Sequence, residues 1–165
     1  MAINWLIERF LTIQKEMQMN TLGAALLGTW KLDTFVHEII KTGAKINIMG
    51  AHPNGFITFT TDGRVHVIIT AEDRPHPKDG ESISDETKLK LYQTLMAYAG
   101  DYQIQSENSC TFKIDCAWNQ SWVGVELKRT YEINGDKLSI ALLPQIGIDG
   151  NIDTAVLNWT KVGKS

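Results

Sequence analysis

Ile3, Leu6, Phe10, Ile13 and Met17 recur at spacings of three, four, three and four, and Glu8, Arg9, Gln14, Lys15, Glu16 and Gln18 fill most of the other face. That period predicts an amphipathic helix over residues 2–19. Its apolar stripe has to lie on something, either the protein's own domain or a partner chain, a second copy included. From Leu26 onward the period drops to two. Runs rich in Val, Ile, Thr, Phe, Trp and Tyr alternate with turn residues, which predicts strands near 27–39, 54–61, 64–70, 101–106, 109–118, 121–133, 136–143 and 152–161. Asp62-Gly63 and Asn134-Gly135 read as hairpin turns in which both central residues take positive φ, and Asp149-Gly150-Asn151 as a third turn. Eight short strands with tight turns predict antiparallel β, as a barrel or a sandwich.

One segment breaks the alternation. Ser84 followed by Asp85 and Glu86 is an N-cap with an acidic first turn. Leu91, Leu95 and Tyr98, with Tyr92 and Met96 beside them, make an apolar stripe that Gly100 ends, so a helix is predicted over 84–98. Pro75 and Pro77 hold the stretch before it as an extended loop, since proline fixes φ and removes a ladder donor. Loop and helix together form an excursion over 71–100. It reads either as a lid over an open barrel end or as a helix on the outer wall.

Composition narrows the class. A chain of 165 residues with 43% apolar and 21% charged residues can bury a core, and its length fits one domain, divided as a helix at 1–20 and a β domain at 21–165. Sixteen Lys and Arg against nineteen Asp and Glu leave a net charge of −3, which argues against nucleic acid or an anionic membrane as partner. No apolar run is long enough to span a bilayer, and the start lacks the basic region of a secretory signal. Cys110 and Cys116, six residues apart on one strand, would stand about 20 Å from each other, out of disulfide reach. Free thiols fit a reducing compartment, so a soluble, cytoplasmic protein is expected.

Several short motifs, in order, resemble one family. Leu27-Gly28-Thr29-Trp30 opens the first strand as Gly-x-Trp does in lipocalins and their calycin relatives. Gly55 to Arg64, Asp73-Arg74-Pro75, Tyr98 to Tyr102, Trp122-Val123-Gly124 and Leu157-Asn158-Trp159 follow as in bacterial and fungal lipocalin-like domains. The resemblance covers roughly residues 26–161. It implies an eight-stranded antiparallel up-and-down barrel enclosing one small-molecule cavity, to which this chain adds an N-terminal helix that typical members lack or shorten.

Within such a barrel the strand after Trp122 would point Val123, Val125, Leu127, Arg129, Tyr131 and Ile133 inward. An inward arginine needs a partner, because an isolated buried charge is costly. Arg129 and Tyr131 could clamp a ligand carboxylate or enolate, or Arg129 could stack on Trp30 and close the barrel base. Cys110, Phe112, Ile114, Cys116 and Trp118 share one face of the strand before it, as cavity wall or plain core. Tyr98 and His76 sit where a mouth is expected, His76 in a loop that could carry a general base. The candidate ligand contacts are therefore Arg129, Tyr131, Phe112, Trp118, Trp122, Leu127, Tyr98 and His76.

The four histidines and two cysteines show no metal-ligand spacing, and no nucleotide, dinucleotide or hydrolase motif occurs, so neither metal nor cofactor is expected. Two functions follow. One is a binder of a small apolar molecule bearing a carboxylate or carbonyl. The other is a cofactor-independent cyclase or isomerase of a natural-product pathway, which needs only a shaped cavity and a few donors and would leave no motif.

Overall fold

The computed structural model describes residues 2–146 and 152–163, with the backbone alone for residues 2, 3, 15, 16, 18–20, 22, 145 and 146. The turn expected at Asp149-Gly150-Asn151 and the side chain of Ile3 lie outside the described residues. Alternating apolar positions give the strands β1 (Gly28–Ile39), β2 (Ala44–Ile46), β3 (Asn54–Phe59), β4 (Arg64–Thr70), β5 (Leu95–Ser106), β6 (Ser109–Ala117), β7 (Glu126–Asn134), β8 (Lys137–Leu142), β9 (Gln145–Ile146) and β10 (Ile152–Lys161). Successive long strands pair antiparallel, and β10 pairs back onto β1 from Trp30↔Lys161 to Ile39↔Asp153. Eight strands thus close into a barrel, as expected, with β2 and β9 as short additions at one end. Closure leaves the long strands no free edge. Ile57, Phe59, Val65, Ile69, Phe112, Ile114, Leu138 and Trp159 fill the interior.

The register shifts at three places among the described residues, one of them between Ile104 and Ser106 near the end of β5. Ala99 pairs with Cys116 but Gly100 with Ile114, so Asp115 has no partner in the ladder. Cys110, Phe112 and Ile114 point inward as expected, whereas Cys116 is exposed and Ala117 takes the inward place. An extra residue in one strand turns every later side chain to the opposite face. Gly100 makes this crossing close: a Cβ there would lie 2.1 Å from the Lys113 carbonyl oxygen. The shift between Leu32 and Thr34 brings Phe35 to the inside of β1.

The helix expected over 84–98 is shorter. α2 spans Asp85–Gln93, capped by the Ser84 side chain accepting from the Thr87 amide, and none of its residues is buried. Leu95, Met96 and Tyr98 belong to β5, whose inward row continues through Gly100, Tyr102 and Ile104. Both expected turns also differ in detail, because among the described residues none other than glycine has positive φ. Gly63 (φ 83°) alone is left-handed in its turn, and the other hairpin turns at Gly135-Asp136, with Gly135 at φ 62° in its first central position.

The barrel's base is closed around Trp30. Its ring is buried, its Nε1 donates to the Leu26 carbonyl at 2.8 Å, and Lys161 Nζ lies 4.8 Å from the ring centroid. The cation over Trp30 is therefore Lys161, and the alternative placement of Arg129 there does not hold. Leu26 ends α1 (Ala2–Leu26), which runs seven residues past the expected end of the amphipathic helix. Among its described side chains the last turn meets the barrel, where Gly23 faces Ile104 and Leu26 is buried. Leu6, Phe10, Ile13 and Met17 of its apolar stripe are exposed.

Candidate functional site

The far end of the barrel is its mouth. There β4 leads through the loop 71–84 and α2 into β5, and β6 leads through a short 3-10 turn, Gln120–Trp122, into β7. Expected as strand from 121, this segment instead crosses the mouth. Val123 and Val125, expected inside, are exposed on it. Trp118, just past the bulge, donates its amide to the Ala97 carbonyl at 2.8 Å. Its ring packs edge-on to Trp122 at 5.0 Å and faces Tyr92 of α2 at 6.4 Å, and Trp122 in turn meets Tyr98 at 5.6 Å. A continuous row of aromatic rings thus runs from exposed Tyr92 through the mouth to the interior.

Beneath Trp122 lies a cavity of about 40 Å³. Phe35, Ile57, Phe112, Ile140, Leu142 and Leu157 form its hydrocarbon wall, and Met96, Tyr98, Trp122, Arg129 and Trp159 complete it. Four of the eight expected contacts, Tyr98, Phe112, Trp122 and Arg129, come together here. Trp118 stands one ring further out. Leu127 packs against the core without lining the cavity. Tyr131 is buried, and its hydroxyl donates to the Ser106 carbonyl at 3.4 Å instead of reaching the cavity. His76 is exposed on its loop.

The polar groups here are donors. The Arg129 guanidinium is half-buried, gives one hydrogen bond to the Lys128 carbonyl at 2.9 Å, and lies against the Tyr98 hydroxyl. No carboxylate among the described residues forms an ion pair with it. Burial pushes the Tyr98 phenol above its ordinary range, and the neighbouring Arg129 offsets this only in part, so the hydroxyl keeps its proton. Burial also pushes the Cys110 thiol up to about 12, against the smaller pull of Arg129. Cys110 is thus a neutral core side chain and no nucleophile at neutral pH. The indole N–H groups of Trp118 and Trp159 are buried with no acceptor among the described residues.

Trp159 and Met96 escaped the sequence reading of the site. Trp159 belongs to the inward row Ala155, Leu157, Trp159 of β10, and that period was its signal. Met96 was hidden by the helical reading of its segment.

A closed antiparallel barrel with an apolar cavity, an aromatic mouth and an arginine on the cavity wall defines a lipocalin-like barrel. The family model described as "Lipocalin-like domain" matches residues 27–162, and the chain belongs to that family. No curated protein matches it. Among solved structures it is similar to a designed fluorescence-activating β-barrel at 12% identity, over 85% of this chain and 96% of that one, with a TM-score of 0.40. No helix is long and apolar enough to cross a membrane among the described residues.

Proposed function

We propose that the barrel binds a small, mostly apolar molecule through an oxygen acceptor, a carboxylate, enolate or carbonyl, held by Arg129 and Tyr98. The observation that carries this reading is a guanidinium beside a hydrocarbon cavity with no carboxylate among the described residues to neutralise it. Donors without matching acceptors, Trp159 Nε1 among them, favour a ligand that brings the acceptor with it. The free thiols Cys110 and Cys116 are in keeping with a cytoplasmic setting.

The cavity of about 40 Å³ is small against the roughly 300–1,000 Å³ of ordinary ligand pockets. Ligand entry therefore requires the mouth segment to move. Trp122 is its inner plug, and Gly124 (φ 86°), whose amide donates to the Ile114 carbonyl at 2.8 Å, marks where the segment rejoins β6. On this reading the gate is the segment 118–123, and Tyr92 of α2 meets it through Trp118. Two fluorescent probes test the reading: 1-anilinonaphthalene-8-sulfonate and its uncharged parent N-phenyl-1-naphthylamine. The sulfonate is expected to bind at least tenfold more tightly, and Trp122→Ala to accelerate uptake of both. Equal affinity for the two probes would remove the acceptor recognition. Unchanged uptake in Trp122→Ala would remove the gate.

A second reading, a cofactor-independent isomerase or cyclase, draws on one further pair. His37 Nε2 and Asp153 Oδ2 are 3.0 Å apart, both partly buried. His37 lies two residues along β1 from the cavity residue Phe35, about 7 Å nearer the mouth by strand rise. An imidazole oriented by a carboxylate can act as a general base, with Arg129 stabilising the oxyanion that results. Compounds extracted from the purified protein and incubated with it separate the two readings. Under the isomerase reading His37→Gln keeps binding and loses conversion; under the first reading neither form converts anything.

A further inference from the structure

The largest unpartnered apolar surface among the described residues is α1. Leu6, Ile7, Phe10, Leu11, Ile13 and Met17 all stand in solvent, with Leu6 57%, Phe10 60% and Met17 65% exposed. Three observations indicate what covers it. The first is spacing. Leu6, Phe10, Ile13 and Met17 follow at four, three and four residues, the 3.5-residue repeat by which one helix seats its side chains between those of another. Ile7 and Leu11 widen that seam on one side. The second is charge. Glu8, Arg9, Lys15 and Glu16 cancel along the helix, and the chain as a whole carries −3, so the basic excess that draws a helix to anionic lipid is missing. The third is area. Side chains of this size, about half or more exposed, leave roughly 100 Å² each, so two such stripes facing each other bury roughly 1,200 Å² at most, the lower bound of a stable specific interface.

We propose that α1 pairs antiparallel with α1 of a second copy, Phe10 of each meeting Ile13 of the other and Leu6 meeting Met17. The orientation follows from where the barrel is attached. Each α1 enters its barrel at Leu26, and packed helices lie only about 8–10 Å apart. A parallel pair would force two barrels side by side at that separation. An antiparallel pair sends them to opposite ends, with Phe10 about 24 Å along the helix from Leu26.

Sedimentation equilibrium of the full chain tests the pairing. The expected mass is twice 18.5 kDa at tens of micromolar. The double variant Phe10→Glu/Met17→Glu is expected to sediment at the single mass with unchanged far-ultraviolet β signal and unchanged melting temperature. Spin labels on Asn4→Cys, in a Cys116→Ser background that leaves only buried Cys110, report orientation. An antiparallel pair separates them by roughly 20 Å or more, whereas a parallel pair brings them to about 10 Å. A native chain at the single mass up to 100 µM (roughly a hundredfold above the Kd expected of a modest interface) would overturn the proposal. So would a double variant that still dimerises, a label separation of about 10 Å, or binding of the monomer to phosphatidylcholine–phosphatidylglycerol vesicles.

Discussion

Arg129→Met should yield a protein that is more stable than the native chain and yet bind the sulfonate probe more weakly. Arg129 is half-buried with one carbonyl and a phenol for company, and that burial makes its charged form less favourable than it is in water. Replacing an under-compensated buried charge by a side chain of similar volume is expected to gain roughly 1–2 kcal/mol. For a domain of this size that is a melting temperature higher by about 3–6 °C. A charge-assisted hydrogen bond to a bound anion is worth about 1.5–3 kcal/mol, so affinity for 1-anilinonaphthalene-8-sulfonate should fall roughly ten- to a hundredfold. The uncharged parent should bind as before. Thermal melts and fluorescence titrations read both quantities. A variant that melts lower would make Arg129 a structural residue, whatever it does to the probe.

Trp30→Ala carries the largest expected loss of stability. The change empties a fully buried site at the base, removes the hydrogen bond to Leu26 and leaves Lys161 without its ring. Large aromatic-to-Ala changes in a core cost about 3–5 kcal/mol, a sizeable share of the roughly 5–15 kcal/mol that holds a typical domain together. Denaturant titration should show the unfolding free energy falling by that amount. Because Trp30 also anchors the last turn of α1, the loss should be accompanied by fraying of the helix near Leu26, visible as faster amide exchange there. A loss below 1 kcal/mol would mean that the base is closed by some other contact.

The sequence spoke clearly wherever a strand ran unbroken. Cys110, Phe112 and Ile114 on β6, and Leu127, Arg129 and Tyr131 on β7, lie on the faces that their alternation predicts. It fell silent at the bulge, because Asp115 is an ordinary exposed residue and nothing marks it as the unpaired one. Only Gly100 across from it gives a trace, and glycine also ends helices, which is why residues 95–98 at the start of β5 fit the helical pattern. Leu91, Leu95 and Tyr98 satisfy a helical stripe, while Met96, Tyr98, Gly100, Tyr102 and Ile104 satisfy a strand. Over so short a run the two periods overlap, and the long pairing of β5 with β4 and β6 decides between them. The site was half legible for the same reason. Tyr98, Phe112 and Arg129 follow from local pattern, while Trp122 reaches the cavity through a turn and Tyr131 is drawn away by a backbone carbonyl at the base.

The closing seam between β1 and β10 also bears on how the chain finds its fold. Every other pair of long neighbouring strands is adjacent along the chain, whereas Asn158 reaches Thr34 and Thr160 reaches Asp33 across 124 and 127 residues of sequence. Loop closure grows as the logarithm of that separation, so joining the seam first would cost about 2 kcal/mol more than joining a hairpin of some ten residues. The meander β3 to β8 can assemble by local steps, each resting on the one before, and then hold the two end strands near each other. The seam is thus the slow, late event of folding, and the two strands that carry the Trp30 and Trp159 rings are the last to be committed.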